Sequence, residues 1–231
     1  MNRRAIVLFR GDPRREERQK GLPPRLLSAL HAELERVINN TPGVDLIDAS
    51  EVDGRFVLRS PEWISVSSAA EALSEKIDHS LRVAFDSGYE SVVLLAGDVA
   101  GLTPDLITRA FDALNHERVV LGPSRDGGFY LAGFRRYIHI DWSSLQLYTA
   151  NALAGLKAQL ASLHVTWIEA KRLDDIDSRE DAETIARRLR FSRLGRILIA
   201  LLDRRVGWSM RSRQALPSFT RATPARAPPS L

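Results

Sequence analysis

Side-chain chemistry in this chain concentrates in three short acidic stretches and one basic loop. Asp98 follows the apolar run Val92–Ala96, with Gly97 before it and Gly101 just beyond. A run of that length, rich in Val and Leu and bounded by turn residues, suits a strand buried on both faces of a parallel sheet. Ligands of open α/β sheets gather just beyond the carboxyl ends of the strands. Asp98 stands there beside Ala96 and Gly97, which are small enough to admit a ligand to the backbone. It reads as a ligand for Mg2+ or Mn2+ or, equally, as a helix-capping turn residue. Asp126 heads the loop Asp126-Gly127-Gly128, whose glycines permit positive φ; the competing reading is a plain turn between strands. Asp174, Asp175 and Asp177 form the third set, although Asp177 also fits as an aid to the cap of the last helix. Magnesium takes one or two carboxylates and completes its shell with water and phosphate oxygens. Asp98 with one or two of Asp126, Asp175 and Asp177 would therefore suffice.

The basic loop carries Arg10-Gly11 and, further on, Lys20-Gly21-Leu22. Glycine amides and cations between a first strand and a first helix can cradle a phosphate. The acids Asp12, Glu16 and Glu17 in the same stretch argue instead for a solvated charged loop. No glycine-lysine-serine/threonine triplet occurs, so this is not a Walker loop.

Composition narrows the choices. With no cysteine, disulfides, thiolate metal sites and thiol catalysis are excluded, and any metal needs oxygen or imidazole ligands, which favours a hard cation. His31, His79, His116, His139 and His164 are scattered without ligand spacing. The 231 residues, 44% hydrophobic and 27% charged, suit one soluble α/β domain with an appendage. The net charge of +4 is uneven: from Arg187 onward arginines are frequent and Asp203 is the only acid. No signal-peptide pattern and no apolar run approaching ~18 residues is present, so a cytoplasmic protein is expected. The basic tail reads as a solvated extension, with peripheral contact to anionic lipid or to nucleic acid as the alternative. No alternation of aromatic and basic residues suggests a nucleic-acid partner.

Periodicity then places these residues. Strands are expected at Ala5–Phe9, Val44–Ala49, Val92–Ala96, Val119–Leu121, Phe129–Phe134 and Val165–Ile168. Helices are expected at Pro24–Asn39, Ala69–Phe85 and Thr103–Leu114, and from Ser143, with Gln146 in a capping box, to about Leu163. Ser178 with Asp181 should cap a final helix. Arg10–Pro24 reads as loop, Glu51–Ser65 as irregular with a strand at Phe56–Leu58, and Lys171–Asp177 as a charged loop. Strands alternating with amphipathic helices argue for βαβ units and a mainly parallel sheet. Residues 1–190 would form the domain. Residues 191–231 would form a basic extension, amphipathic over Phe191–Met210 and disordered from Ser212.

The order of Gly97-Asp98, Gly101-Leu102-Thr103-Pro104, Val120-Leu121-Gly122-Pro123, the run Asp126 to Gly133, Trp142-Ser143 and Asp175-Ile176-Asp177-Ser178 carries a family resemblance. It resembles an uncharacterised bacterial family of GT-A-like transferases, relatives of the molybdenum-cofactor and phospholactate guanylyltransferases. The likeness spans roughly Ile6 to Leu189. It implies a Rossmann-like three-layer α/β/α sandwich of the nucleotide-diphosphosugar transferase type. It also implies divalent-metal-dependent transfer from a nucleotide-sugar or nucleoside triphosphate donor to a small-molecule acceptor. On that resemblance Asp98 and Asp126 are the catalytic candidates. Arg10, Gly11, Lys20, Ala96 and Gly97 would bind nucleotide, and Gly127, Gly128 and Tyr130 would face the acceptor. Tyr130 and Phe129 also read simply as packing. The chain departs from the family pattern in two places: Arg14–Leu22 matches the usual lysine-threonine-arginine-leucine segment only loosely, and Val99-Ala100 replaces a cysteine-proline pair. Both lie where nucleotide would bind, which motivates the alternative of a non-catalytic nucleotide-binding or scaffold protein on the same fold.

Overall fold

In the computed structural model, which describes residues 3–11, 13–68 and 72–202, the chain runs β1 (Arg4–Arg10), α1 (Pro13–Lys20), α2 (Pro24–Asn39), β2 (Val44–Val52), β3 (Arg55–Arg59), β4 (Ile64–Ser68), α3 (Leu73–Asp86), β5 (Ser91–Ala96), β6 (Val99–Ala100), α4 (Pro104–Ala113), β7 (Val119–Pro123), β8 (Phe129–Phe134), α5 (Ala152–Ser162), β9 (Trp167–Glu169), β10 (Asp174–Asp175), α6 (Arg179–Arg188) and α7 (Arg193–Leu202). Eight strands form one sheet in the order β4-β3-β2-β1-β5-β8-β7-β9, and β6 and β10 make a separate antiparallel pair. β1 lies parallel to β2 and β5, and β7 lies parallel to β9. Only β3 and β8 oppose the common direction, so six of the eight strands point the same way and the sheet is mainly parallel.

Alternation along β1 divides the core. Ile6 and Leu8 join Leu27, Leu30 and Leu34 of α2, Ile107 and Phe111 of α4, and Ile185 of α6 on one face. Ala5 and Val7 join Ile77 and Leu81 of α3 and Leu156 and Leu160 of α5 on the other. A sheet covered by helices on both faces is the expected three-layer α/β/α sandwich, and it explains the unbroken apolar run of β5. Thr103 caps α4 by accepting the Leu106 amide at 3.2 Å, a contact worth about 1 kcal/mol. Ser178 caps α6 through the Asp181 amide at 3.1 Å. Leu194 and Leu198 of α7 are buried in the same core as α2 and α6. The expectations for residues 203 onward and for the start of a helix at Ala69 lie outside the described residues.

Four expected elements are corrected. Lys171–Asp177 is not all loop, because Asp174–Asp175 pair with β6 as a two-residue strand. Arg10–Pro24 is not a loop, because Pro13–Lys20 is helical; its charged sequence has no apolar stripe, and Glu16 and Lys20 sit one helical turn apart. Glu51–Ser65 is not irregular: β2, β3 and β4 form a meander at the sheet edge. The signal is Asp53-Gly54, where φ of 49 and 72 gives the two consecutive positive values of a tight hairpin turn. The helix from Ser143 starts late. Asp141 caps a short 3-10 turn over Trp142–Ser144, and α5 begins only at Ala152. The segment between meets the Asp126 loop at Ala150, which lies against Gly127, and Leu153 of α5 donates its amide to the Gly127 carbonyl at 3.3 Å.

Candidate active site

The carboxyl end of β5 turns at Gly97 and leads directly into β6, which pairs with β10 so that Asp175 stands opposite Val99. The Ile176 amide donates to the Asp98 carbonyl at 3.0 Å and fixes this register. Strand alternation then sorts the acidic set. Asp174 turns to Arg125 and Arg188, whereas Asp175 lines the same cavity as Asp98, Asp126 and Asp177. Four of the expected aspartates thus meet around one cavity of about 410 Å³.

Lys20, at the end of α1, is held between two of them. Its ammonium contacts Asp98 Oδ2 at 2.6 Å and Asp177 Oδ1 at 2.7 Å. Burial alone would lower its pKa, but Asp98 and Asp177 outweigh that and hold it above its usual range. Asp175 has no such partner. Its Oδ1 is buried and unbonded, and burial, reinforced by the charge of Asp98, pushes its carboxyl up to about 7. Asp126 is oriented internally, accepting the Ser124 hydroxyl and the Gly128 amide, the latter at 2.9 Å.

The other expected residues divide. Ala96, Gly128 and Tyr130 line the cavity; the Tyr130 ring is buried, and its hydroxyl donates to the Lys171 carbonyl at 2.8 Å. Gly97 is packed so closely on β1 that a Cβ there would strike the Phe9 carbonyl oxygen. Gly127 supports the loop, with φ of 94 and the Ala150 carbonyl lying where a side chain would go. Arg10 is not brought to the cavity, since Glu35 and Asp48 hold its guanidinium. The Gly11 amide is already engaged by the carboxylate of Glu16.

Glu16, Ser124 and His31 are additions from the structure. Glu16 Oε2 is buried without a partner, and burial raises its pKa. His31 is 6% exposed, its Nε2 is unbonded, and burial together with Arg10 lowers it to about 4, so the imidazole is neutral. Ser124 lies two residues before Asp126, a position that could have marked it, but nothing in the spacing of Glu16 or His31 marked them.

Residues 25–144, just over half of the chain, match the family described as "Uncharacterized protein conserved in bacteria (DUF2064)". The chain belongs to this family. The expected membership of an uncharacterised bacterial family therefore stands. No curated protein matches the DUF2064 chain. Among solved structures, a Desulfovibrio desulfuricans G20 protein provisionally assigned as a nucleotide-diphospho-sugar transferase is similar at 20% identity and TM-score 0.70, over 87% of this chain and 99% of that one. CMP:2-keto-3-deoxy-manno-octonic acid synthetase, solved with CTP, is similar at 12% identity and TM-score 0.52, over 82% and 99%. At these identities the likeness establishes the nucleotide-diphospho-sugar transferase fold.

Among the described residues no group of three or more metal-ligating side chains is arranged to hold an ion. What does fit a hard divalent cation is the buried, unbonded Asp175 Oδ1 beside Asp98, because one or two carboxylates are enough when phosphate and water complete the shell. Among the described residues no helix is long and apolar enough to cross a membrane.

Proposed function

We propose that this DUF2064 chain is a divalent-metal-dependent transferase that takes a nucleotide-sugar or nucleoside triphosphate as donor. The observation that carries the reading is the meeting of Asp98, Asp126, Asp175 and Asp177 with Lys20 at the carboxyl ends of the strands. Asp98 and Asp175 would hold Mg2+ or Mn2+, which supplies charge neutralisation to the leaving phosphate when bound. Lys20 adds a fixed positive charge at the same place. The Gly11 amide, which binds the Glu16 carboxylate, is suited to bind a donor phosphate in its place. Asp126, locked by Ser124 and Gly128, would position the acceptor. The acceptor oxygen bonds to the anomeric carbon or the α-phosphorus, and the bond to the nucleoside diphosphate or pyrophosphate breaks. The electron pair stays on the departing phosphate oxygen, and the acceptor proton passes to water.

Calorimetric titration with a panel of nucleoside triphosphates and nucleotide-sugars, with and without Mn2+, tests this. The expected result is a Mn2+-dependent binder whose affinity collapses in Asp98→Asn while the fold persists. A panel silent in both conditions would refute the donor reading and favour the scaffold alternative, which the departures at Arg14–Leu22 and Val99-Ala100 motivate.

A further inference from the structure

The cavity is lined by two chemically distinct sets of side chains. One, the acidic end, is the four aspartates. The other, the apolar end, is Phe9, Leu73, Ile77, Leu94, Phe129 and Leu147, which share one apolar cluster, together with the exposed Tyr148. Tyr148 is 86% exposed, more open than any other large hydrophobic side chain among the described residues. Its volume of about 410 Å³ falls in the usual range for small-molecule sites.

No lysine, arginine or histidine is among the described residues that line this cavity. Lys20 is committed to Asp98 and Asp177 at the acidic end. An acceptor bearing a phosphate or carboxylate would therefore shed water against hydrocarbon with no cation to replace it. The aspartates add repulsion. A bound divalent cation and the donor phosphates would offset one another at the acidic end and leave the apolar end without positive charge. We infer that the acceptor is a neutral, predominantly apolar molecule that presents a hydroxyl to the acidic end, an inference that rests on the transferase reading above. Exclusion of anionic acceptors follows from the want of any partner for them among the described residues of the wall.

Two probes with the same tail test this on the full chain: 1-octanol and octyl phosphate, each below the concentration at which it aggregates. Saturation-transfer NMR and calorimetry at pH 8, without nucleotide or metal, should show octanol bound at least tenfold more tightly. Tyr148→Lys, an exposed change that leaves the core untouched, should narrow or reverse that preference by supplying the missing cation. Leu147→Asp should weaken octanol. Octyl phosphate binding as tightly as octanol, failure of both to bind, or a preference unmoved by both variants would overturn the inference. Because nucleotide is absent, its fate is separable from that of the donor reading. A silent nucleotide panel beside an intact octanol preference would refute the transferase premise, and with it the word acceptor, while leaving the cavity's ligand class in place.

Discussion

Replacing Asp175 by Asn should stabilise the protein in base and do little in acid. Asp175 is half-buried beside Asp98, its Oδ1 has no partner, and burial with the charge of Asp98 outweighs a hydrogen bond from Ser124 and pushes its carboxyl from 3.8 up to about 7. Between about pH 4 and 7 the folded chain keeps a proton that the unfolded chain has released, so stability falls as pH rises through that window. Below it there is no cost, and above it the cost is complete. At 1.36 kcal/mol per pKa unit the ceiling is about 4 kcal/mol, and partial hydration of the site reduces this to roughly 2 kcal/mol. For a chain of this size that corresponds to a melting temperature about 4–8 °C higher for Asp175→Asn at pH 8.

The assay is thermal unfolding of both proteins at pH 8 and pH 4.5. The gap should open at pH 8 and largely close at pH 4.5. His31, held neutral with its pKa lowered to about 4, loses stability in the opposite direction as pH falls from about 6.5. That contribution is common to both proteins and drops out of the difference. A gap that is the same at both pH values, or a variant that melts lower at pH 8, would refute the reasoning. Repeating the pH 8 scan with Mn2+ examines the cation assignment: the wild type should gain more than the variant, and equal gains would remove Asp175 from the metal shell.

Three further perturbations probe other parts of the site. Lys20→Gln should tighten Mn2+ binding to the nucleotide-free protein several-fold, because Asp98 and Asp177 lose their ammonium, while weakening nucleotide binding at least tenfold; both affinities moving the same way would contradict the shared role of the carboxylates. Glu16→Gln should strengthen nucleotide binding by about tenfold in calorimetry, since an amide side chain competes less well than a carboxylate for the Gly11 amide, and unchanged affinity would show that the donor phosphates do not bind there. Gly127→Ala should cost roughly 2–4 kcal/mol in urea unfolding, from positive φ and collision with the Ala150 carbonyl, and a loss below about 1 kcal/mol would mean that the segment before α5 moves aside freely.

The sandwich was legible because its signals are long. β5 is apolar from Val92 to Ala96, and α2 and α4 carry wide stripes, so their existence follows from periodicity alone. Asp98 and Asp126 were legible because each sits where glycine interrupts such a signal. The errors at α1 and β10 share a cause: each element was too short or too polar to bury a periodic face. α1 has eight residues and no apolar stripe, and β10 has only two residues, too few for alternation to separate Asp174 from Asp175 in the sequence.

Those two short elements are the ones that complete the site. α1 delivers Lys20 to a carboxylate 78 residues away, and β10 turns Asp175 inward while Arg125 and Arg188 take Asp174. Elements with little core of their own are free to carry charges that a core element would have to neutralise. The acids of the first loop bear this out. Asp12, Glu16 and Glu17 argued for a solvated stretch, yet the carboxylate of Glu16 lies on the Gly11 amide with one oxygen buried and unbonded. An amide that captures a carboxylate from its own chain has the polarity to capture a phosphate. Glu16 therefore marks the Gly11 amide as the proposed donor-phosphate cradle, although in the sequence it argued for solvent.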